Sequence, residues 1–589
     1  MTKLKTIAQR LLQVSRNRNI AIFACVLLIA LASWAAYQDA QPATRPLASC
    51  MPAGAMLYIE SPDFGALLHN WNSSPEKQAW LRSDNYEAFS RSRLFGRLGD
   101  AQHEFAAAAG LPPDMEFLRQ IAGTDSALGL YDIGALQFLY ITHMPNAQSL
   151  QTSLMQERGQ FETRKVGDAT FYVRTQGNPD QGSTPRTVAF AICGDFLLLA
   201  TREDLLAKAL ALMQNQKQEA VSDDAWFAAV TGAASKPGDL RMALDLSRVV
   251  PSPYFRSYWI QQNITEMGRY RAAISDLYRT GNELREERVL LPKSIETTSA
   301  AQADLGQLTT LVPAHTGFYR AQAAPSADDV IATLDSRLIS RKIAGYKNLS
   351  VAPAAADAAT VLGNEADLET RIDTPPAAAL PRGTEFAALR NLFENQQPQS
   401  ILVMDSSAVT SEDAFVAYRS AVVLESGTPW DAEAVGSALQ RALRPQLTTG
   451  DLGIAWRQRG SGQTYFELDG MQPLEFAVSG RFCIFANDTA VLNEILQRIA
   501  IGNQTAGQPL LSASGFDHHL ERANFSLATS LIDSGSANGE ENAPKFFSKN
   551  IRSLSDAFAS MQSEQFSAHW ENGTLHQTVH YTWKSVGSK

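Results

Sequence analysis

The sequence predicts an α+β protein with a single N-terminal transmembrane helix, followed by two tandem, duplicated halves built from mostly antiparallel sheets and packed helices. Three observations predict this. A long uncharged run lies near the N-terminus. Short strand-like segments are joined by tight turns, which is typical of antiparallel sheets with helices on them. Several segments of the first half return in the same order in the second half.

Length and charge limit the possible partners. The chain has 589 residues, which exceeds one ordinary domain. It carries 51 basic and 61 acidic residues, a net charge of −10. A phosphate backbone is bound by concentrated lysine and arginine, and the basic residues here are scattered outside the N-terminus. We therefore expect no nucleic-acid partner.

The N-terminal region predicts a membrane anchor. Residues 1–19 form a basic segment without acidic residues, and residues 20–37 carry no charge. As a helix, that run rises about 27 Å, close to the thickness of the hydrocarbon core. The positive-inside rule places residues 1–19 in the cytoplasm, so the chain is predicted to cross the bacterial inner membrane once and to lie mostly in the periplasm. Residues 38–49 are predicted to be a linker.

Two alternatives compete with an uncleaved anchor. The small residues of "SWAA" at Ser33–Ala36 offer a cleavage site for a signal peptide, although the apolar run is longer than usual. "LASC" at Leu47–Cys50 resembles a lipoprotein cleavage box, but polar residues separate it from the apolar run. We interpret this second match as chance.

The clearest repeat joins "VAFAICGDFLLLATREDLLAKAL" at Val188–Leu210 to "LEFAVSGRFCIFANDTAVLNEIL" at Leu474–Leu496. Each stretch predicts a strand, a two-residue turn, a second strand and a helix. Gly194 and Gly480 open the turns, as a type II′ hairpin requires. Thr201 and Asn487 are the predicted N-caps of the two helices.

Four further pairs of segments lie in the same order around this repeat. They begin at Met51 and Val312, Ser126 and Ser400, Thr170 and Thr464, and Leu240 and Ala523. This order predicts a duplication, with the first α+β half at residues 50–290 and the second at 291–589.

Composition predicts the segments between the repeats. Helical spacing is found at 77–110 and in the charged stretch 254–291. Residues 350–381 and 533–544 are rich in small residues and predict loops. Asn572–Gly573 between two alternating stretches predicts a β-hairpin.

Motifs for catalysis are missing from the sequence. It has no nucleotide-binding glycine loop, no HExxH, no paired CxxC and no GxSxG. We therefore predict no catalytic residue, no cofactor, no metal site and no enzymatic activity.

The histidines that stand out in the sequence are predicted to have structural roles. Asp517–His519 reads as a loop or the start of a helix. His576 and His580 lie about 13 Å apart on one strand face, too far to share a metal. His143 has no nucleophile placed beside it by a motif.

Asp132 and Asp405 fall at matching places in the two copies and are expected to cap turns.

Of the four cysteines, Cys25 lies in the predicted anchor. A bridge between Cys193 and Cys483 is chemically allowed outside the cytoplasm. We interpret these two residues as small buried hydrophobic side chains.

The segment "PAGAMLY" from Pro52 and the hairpin "GDFLLLA" from Gly194 resemble those of bacterial envelope proteins that have one N-terminal anchor and a large exported region. The resemblance covers residue 52 to the end of the chain. It implies an anchored envelope protein and carries no activity or site residue.

Three functions remain open on the sequence. The first is a non-catalytic membrane-anchored scaffold, assembly or partner-binding module with an envelope protein as partner. The second is a carrier or sensor of a hydrophobic ligand such as a lipid, for which an apolar cavity would be the evidence. The third is a hydrolase whose catalytic residues form no linear motif.

Overall fold

The computed structural model describes residues 46–583 except 83–85, 87–89, 92, 113–115, 178–184, 253–266, 295–300, 340–385, 410–415, 448–455, 461–463, 469–473, 503–508 and 522–560. The predicted basic segment and anchor lie outside the described residues. Among the residues that are described, no helix is long and apolar enough to span a bilayer.

Within the described ranges, twenty strands form one sheet in which every pairing is antiparallel. The first half contributes β1 (Leu57–Ser61), β2 (Ser126–Asp132), β3 (Gln137–His143), β4 (Glu162–Val166), β5 (Ala169–Gln176), β6 (Arg186–Cys193), β7 (Phe196–Ala200), β8 (Leu240–Leu244), β9 (Tyr270–Thr280) and β10 (Glu283–Pro292). The second half contributes β11 (Phe318–Ala323), β12 (Ser400–Val409), β13 (Val416–Glu425), β14 (Trp456–Arg459), β15 (Tyr465–Leu468), β16 (Glu475–Ser479), β17 (Phe482–Ala486), β18 (Ser512–Asp517), β19 (Met561–Glu571) and β20 (Thr574–Trp583).

The strand pairings follow the same scheme in both halves. In the first half, the order across the sheet is β4-β5-β6-β7-β3-β2-β1-β8-β9-β10. Adding ten to each label gives the order in the second half. Strands β10 and β20 pair with each other, so the halves meet at these two equivalent strands.

Fourteen α-helices are present in the described part of the chain. The first half contains α1 (Phe64–Ser73), α2 (Pro75–Leu81), α3 (Arg93–Ala109), α4 (Glu116–Gln120), α5 (Asn146–Ser149), α6 (Ser153–Gln156), α7 (Glu203–Met213), α8 (Ala225–Ala233) and α9 (Leu246–Val249). The second half contains α10 (Leu305–Thr309), α11 (Ala327–Leu334), α12 (Ala387–Gln396), α13 (Ala432–Leu447) and α14 (Thr489–Ile501).

Each half has helices on both faces of the sheet. Side chains alternate along a strand, so Leu139 and Ile141 of β3 belong to one buried cluster and Tyr140 to another. Helices α7 and α8 cover the first cluster, and α3, α4 and α6 cover the second. The second half repeats this arrangement, with α14 and α10 on one face and α11, α12 and α13 on the other. The predicted antiparallel α+β architecture is confirmed.

The two hairpin-and-helix units have the predicted local structure. Gly194 and Gly480 join their strands with φ of 59° and 56°, and helices α7 and α14 follow. Nothing lies within 4 Å of a Cβ added at either glycine. The positive φ therefore accounts for glycine at both positions.

The predicted N-caps are wrong by one residue, because the two side chains bind a neighbouring strand instead. Helix α14 is capped by Asp488, whose carboxylate accepts hydrogen bonds from the first turn. The Thr201 hydroxyl accepts a hydrogen bond from the Phe138 amide at 2.9 Å. The Asn487 side chain accepts one from the Ser420 amide at 2.7 Å. Phe138 and Ser420 occupy equivalent positions in β3 and β13.

The helix predicted within 254–291 is wrong for the described part of that stretch, which forms the hairpin β9–β10. Gly281 makes the turn with a φ of 58°. The prediction places the charged residues of this stretch on a helix, but they lie on strand faces. One of them, Asp276, forms a buried ion pair with Arg241 at 2.7 Å. The segment matched at Ala523 lies outside the described residues, and among the described strands β18 pairs with β11 as β8 pairs with β1.

Other local predictions are confirmed. Helix α3 lies in the predicted helical insert at 77–110. The hairpin β19–β20 turns at Asn572–Gly573, with φ of 48° and 79° as a type I′ turn requires. The predicted loops at 350–381 and 533–544 lie outside the described residues.

Candidate functional site

An apolar cavity of about 550 Å³ lies between one face of the sheet and the helices of the first half. Its volume falls within the range of sites that hold small molecules. It is lined by Ile59, Ser61, Phe64, Leu98, Gln102, Phe105, Ala106, Leu111, Pro112, Phe117, Leu118, Ile121, Ser126, Ala127, Leu128, Phe138, Tyr140, Leu199 and Leu240. No acidic or basic side chain is among these described lining residues.

The sheet supplies one wall of the cavity through strand alternation and pairing. Ile59 of β1 lies opposite Leu128 of β2, and Leu128 lies opposite Tyr140 of β3. Directly opposed residues on antiparallel strands share a face, so these three side chains form a continuous wall.

Aromatic residues from the helices form the other wall. The ring of Phe105 in α3 lies 6.0 Å from that of Phe117 in α4 and 6.1 Å from that of Phe138. Phe64 at the start of α1 lies 6.3 Å from the Tyr140 ring. Leu98 of α3 is 54% exposed, so the cavity reaches solvent along this helix.

The polar groups of the cavity are satisfied within the protein. The Tyr140 hydroxyl donates to the Ile121 carbonyl at 2.9 Å, and the Ser126 and Thr142 hydroxyls are 2.7 Å apart. Burial raises the pKa of Tyr140, which keeps the phenol neutral. The chemistry of the cavity therefore suits an uncharged apolar group and requires no partner for a buried polar atom.

The second half has a smaller cavity of about 340 Å³ at the matching place. It is lined by Phe318, Arg320, Gln322, Pro325, Asp329, Ala332, Thr333, Ser336, Arg337, Ile401 and Val403. Arg320 lies opposite Val403 as Ile59 lies opposite Leu128, so an arginine takes the place of the isoleucine. Three charged residues line this second cavity, and its chemistry is polar.

The two aspartates matched in sequence have different environments. Asp132 accepts a hydrogen bond from the Ala135 amide at 2.8 Å, which caps a turn as expected. Asp405 is buried within β12, where it pairs with Arg337 and accepts from the Ser420 hydroxyl at 2.7 Å. Strand pairing places Leu130 at the position equivalent to Asp405, because a register shift follows Leu130. The expected turn cap is therefore wrong for Asp405.

The Asp517–His519 stretch starts a helix, as one of its interpretations predicted. The Asp517 carboxylate accepts from the Leu520 amide at 2.9 Å. The His518 ring packs on Phe516 with centroids 4.7 Å apart, and burial lowers its pKa. His143 contacts the Thr124 hydroxyl at 2.9 Å.

His576 and His580 lie on strand β20, as predicted, but the sequence did not predict which residue lies opposite His576. His569 of β19 lies directly opposite His576, and Glu571 lies nearby. The predicted Asn572–Gly573 turn contains the signal for this pairing, since it sets the register of the two strands.

The described cysteines are not bridged. No disulfide involves Cys50, Cys193 or Cys483, and Cys50 and Cys483 are buried. Burial raises the pKa of Cys483 well above its usual range. Cys193 is half-buried and packs against the first-half core.

No family model and no curated protein sequence matches this chain. Solved structures of TP0453 are similar to parts of it. Crystal form I has a TM-score of 0.25 and 12% identity, and covers 46% of this chain and 84% of that one. Crystal form IV has a TM-score of 0.19 and 10% identity, and covers 47% of this chain and 79% of that one. Crystal form III has a TM-score of 0.18 and 11% identity, and covers 49% of this chain and 83% of that one. Similarity at this level supports no argument about the chain.

Proposed function

We propose that this chain is a membrane-anchored envelope protein that binds the acyl chain of a lipid in the first-half cavity, without catalysing a reaction. The observation that carries the proposal is the cavity of about 550 Å³, lined by aliphatic and aromatic side chains. An acyl chain offers only apolar surface, and burying apolar surface drives its transfer from water. A charged headgroup would stay at the solvent-exposed side near Leu98.

The cavity supports lipid binding better than it supports a scaffold function, which is the first of the three functions that the sequence leaves open. A scaffold needs a partner surface, whereas an apolar cavity of this size is the feature expected of a carrier or sensor. The proposed anchor at residues 20–37 would hold the cavity beside the membrane and so raise the effective concentration of lipid at the cavity.

A fluorescence titration tests the proposal. The full-length chain in a mild detergent is titrated with the neutral apolar dye N-phenyl-1-naphthylamine, followed by displacement with lipid. We expect saturable binding that a fatty acid or phospholipid displaces. Leu128→Trp fills the cavity and should weaken dye binding at least about tenfold, equal to about 1.4 kcal/mol.

Val403→Trp is the matched control, because Val403 holds the equivalent place in the polar second cavity. It should leave dye binding unchanged. Thermal unfolding of both variants checks that the fold persists. Absence of saturable binding by the wild type, or an equal loss in both variants, would show that the cavity is not the binding site.

Capture of a partner is the outcome that would instead favour the scaffold. Crosslinking in intact cells should recover lipid bound to the wild-type chain. Reproducible recovery of one envelope protein complex without lipid would replace the carrier proposal.

We also propose that the chain arose by duplication. The repeated strand order supports this, as do the paired glycines of the two hairpins. The hydrogen bonds that Thr201 and Asn487 accept from amides at equivalent strand positions are independent support, since the two side chains differ.

The proposed orientation has its own test. A phosphatase reporter that is active only outside the cytoplasm, fused after Ala43, should be active. A silent phosphatase combined with an active cytoplasmic reporter at the same site would overturn the orientation.

A further inference from the structure

The hairpin β19–β20 brings two imidazoles and a carboxylate together near its turn. His569 and His576 are directly opposed, and Glu571 is opposed to Thr574. Alternation puts all four side chains on one face of the hairpin. The Glu571 Oε2 atom lies 3.8 Å from His569 Nε2 and 4.0 Å from His576 Nε2. One ligand atom from each of the three residues lies within 4.8 Å of the others.

We propose that His569, Glu571 and His576 bind a late divalent transition-metal ion of the Zn²⁺ class. Imidazole nitrogen and carboxylate oxygen are ligands that Zn²⁺ prefers, and three protein ligands leave a fourth position for water or another ligand. This site belongs to the second half and is independent of the proposed lipid cavity.

The required movement is small. Metal–ligand bonds of about 2.0–2.1 Å at tetrahedral angles place ligand atoms about 3.3 Å apart. The carboxylate oxygen already lies 3.8 and 4.0 Å from the two nitrogens. The pairing of the two strands holds the backbone positions in register. Rotation of the side chains alone can therefore close this gap.

The two imidazole rings lie against each other beside the turn. They are stacked, with centroids 5.3 Å apart and an interplanar angle of 22°. The Thr574 hydroxyl contacts His576 Nε2 at 2.8 Å, and a metal ion bound at that nitrogen would replace this contact.

The equivalent hairpin of the first half has different chemistry. Counting from the two turns, Tyr278 and Arg285 of β9–β10 take the positions of His569 and His576. There the Arg285 guanidinium lies 4.3 Å from the centre of the Tyr278 ring. A cation–π pair thus occupies the cross-strand position in one hairpin, whereas two stacked imidazole rings occupy it in the other.

Equilibrium dialysis against ZnCl₂ tests the proposal on the full-length chain after treatment with a chelator. We expect one Zn²⁺ per chain, counted by mass spectrometry, and a visible Co²⁺ spectrum of low coordination number. His569→Ala, His576→Ala and Glu571→Gln should each weaken Zn²⁺ binding at least about tenfold. Glu571 is more than half exposed beside the turn, so Glu571→Gln tests the site with little risk to folding.

His580→Ala is the matched control, since His580 lies on the same strand and face about 13 Å from His576. This variant should bind Zn²⁺ as the wild type does. No stoichiometric Zn²⁺ on the wild type, or binding unchanged by the three site variants, would overturn the proposal. An equal loss in His580→Ala would do the same. Dye binding in the apolar cavity should be unaffected by all four variants.

Discussion

The two halves share one strand order, yet the cavities at matching places have opposite chemistry. In the first half, Ile59 faces a cavity whose described lining residues carry no charge, and in the second half, Arg320 takes that place. Pairing within a sheet depends on the backbone, so a side chain on an open face can change without altering the strand order. Function in this molecule is therefore expected where the halves differ.

The halves also differ at one pair of opposed residues, which lies between β8 and β9 in the first half and between β18 and β19 in the second. Arg241 and Asp276 are 8% and 2% exposed and form a two-pronged ion pair at 2.7 and 2.8 Å. Ala513 and Ser567 are opposed at the equivalent place in the second half. One half thus holds two mutually neutralised charges where the other holds small side chains.

Breaking that ion pair should have the largest effect on stability. Asp276→Ala leaves Arg241 buried without its counter-charge and should cost about 3–5 kcal/mol of unfolding free energy. Denaturant unfolding measures the loss. The double variant Arg241→Ala with Asp276→Ser copies the second half and should recover more than half of it. A single-variant cost below about 1 kcal/mol would contradict this role.

The hairpin glycines should be equally sensitive in the two halves. Gly194→Val and Gly480→Val each force a β-branched residue to positive φ and should cost about 1–3 kcal/mol. Thermal unfolding measures both. Gly96, a glycine of α3 with open space around it, gives the control, and Gly96→Ala should not destabilise. Unequal costs at the two turns would weaken the comparison of the halves.

Exchanging the residues that distinguish the cavities should change binding more than folding. Ile59→Arg introduces a charge into the apolar cavity and should weaken binding of the neutral dye about tenfold, or about 1.4 kcal/mol. Arg320→Ile alters only the second cavity and should leave dye binding unchanged. Equal dye affinity in Ile59→Arg and the wild type would be evidence against lipid binding at this place.

The smallest expected effect concerns the matched hydrogen bonds to the neighbouring strand. Thr201→Val and Asn487→Ala each leave one strand amide without its acceptor, at about 0.5–1.5 kcal/mol. Thermal unfolding of each variant measures the loss. Asn487→Asp keeps an acceptor oxygen and should retain most of the stability. No loss in either alanine or valine variant would mean that solvent replaces the bond.

Predictions from the sequence succeeded where structure is local. The turn at Gly194 and its counterpart at Gly480 follow from residue type and position, because positive φ is available to glycine at little cost. The Asn572–Gly573 hairpin follows from the same preference. The predicted helix failed over the described residues 267–291, because charged residues such as Glu286 and Arg288, which the prediction places on a helix, lie two residues apart on one partly buried face of β10.

The sequence by itself determined the antiparallel α+β class, the two repeated hairpin-and-helix units and the absence of linear catalytic motifs. Those features depend on neighbouring residues and on the order of segments. The cavity, the Arg241–Asp276 pair and the His569–Glu571–His576 cluster were decided by tertiary structure alone. Each joins side chains on different strands or helices, and only strand pairing across the sheet sets the distance between them.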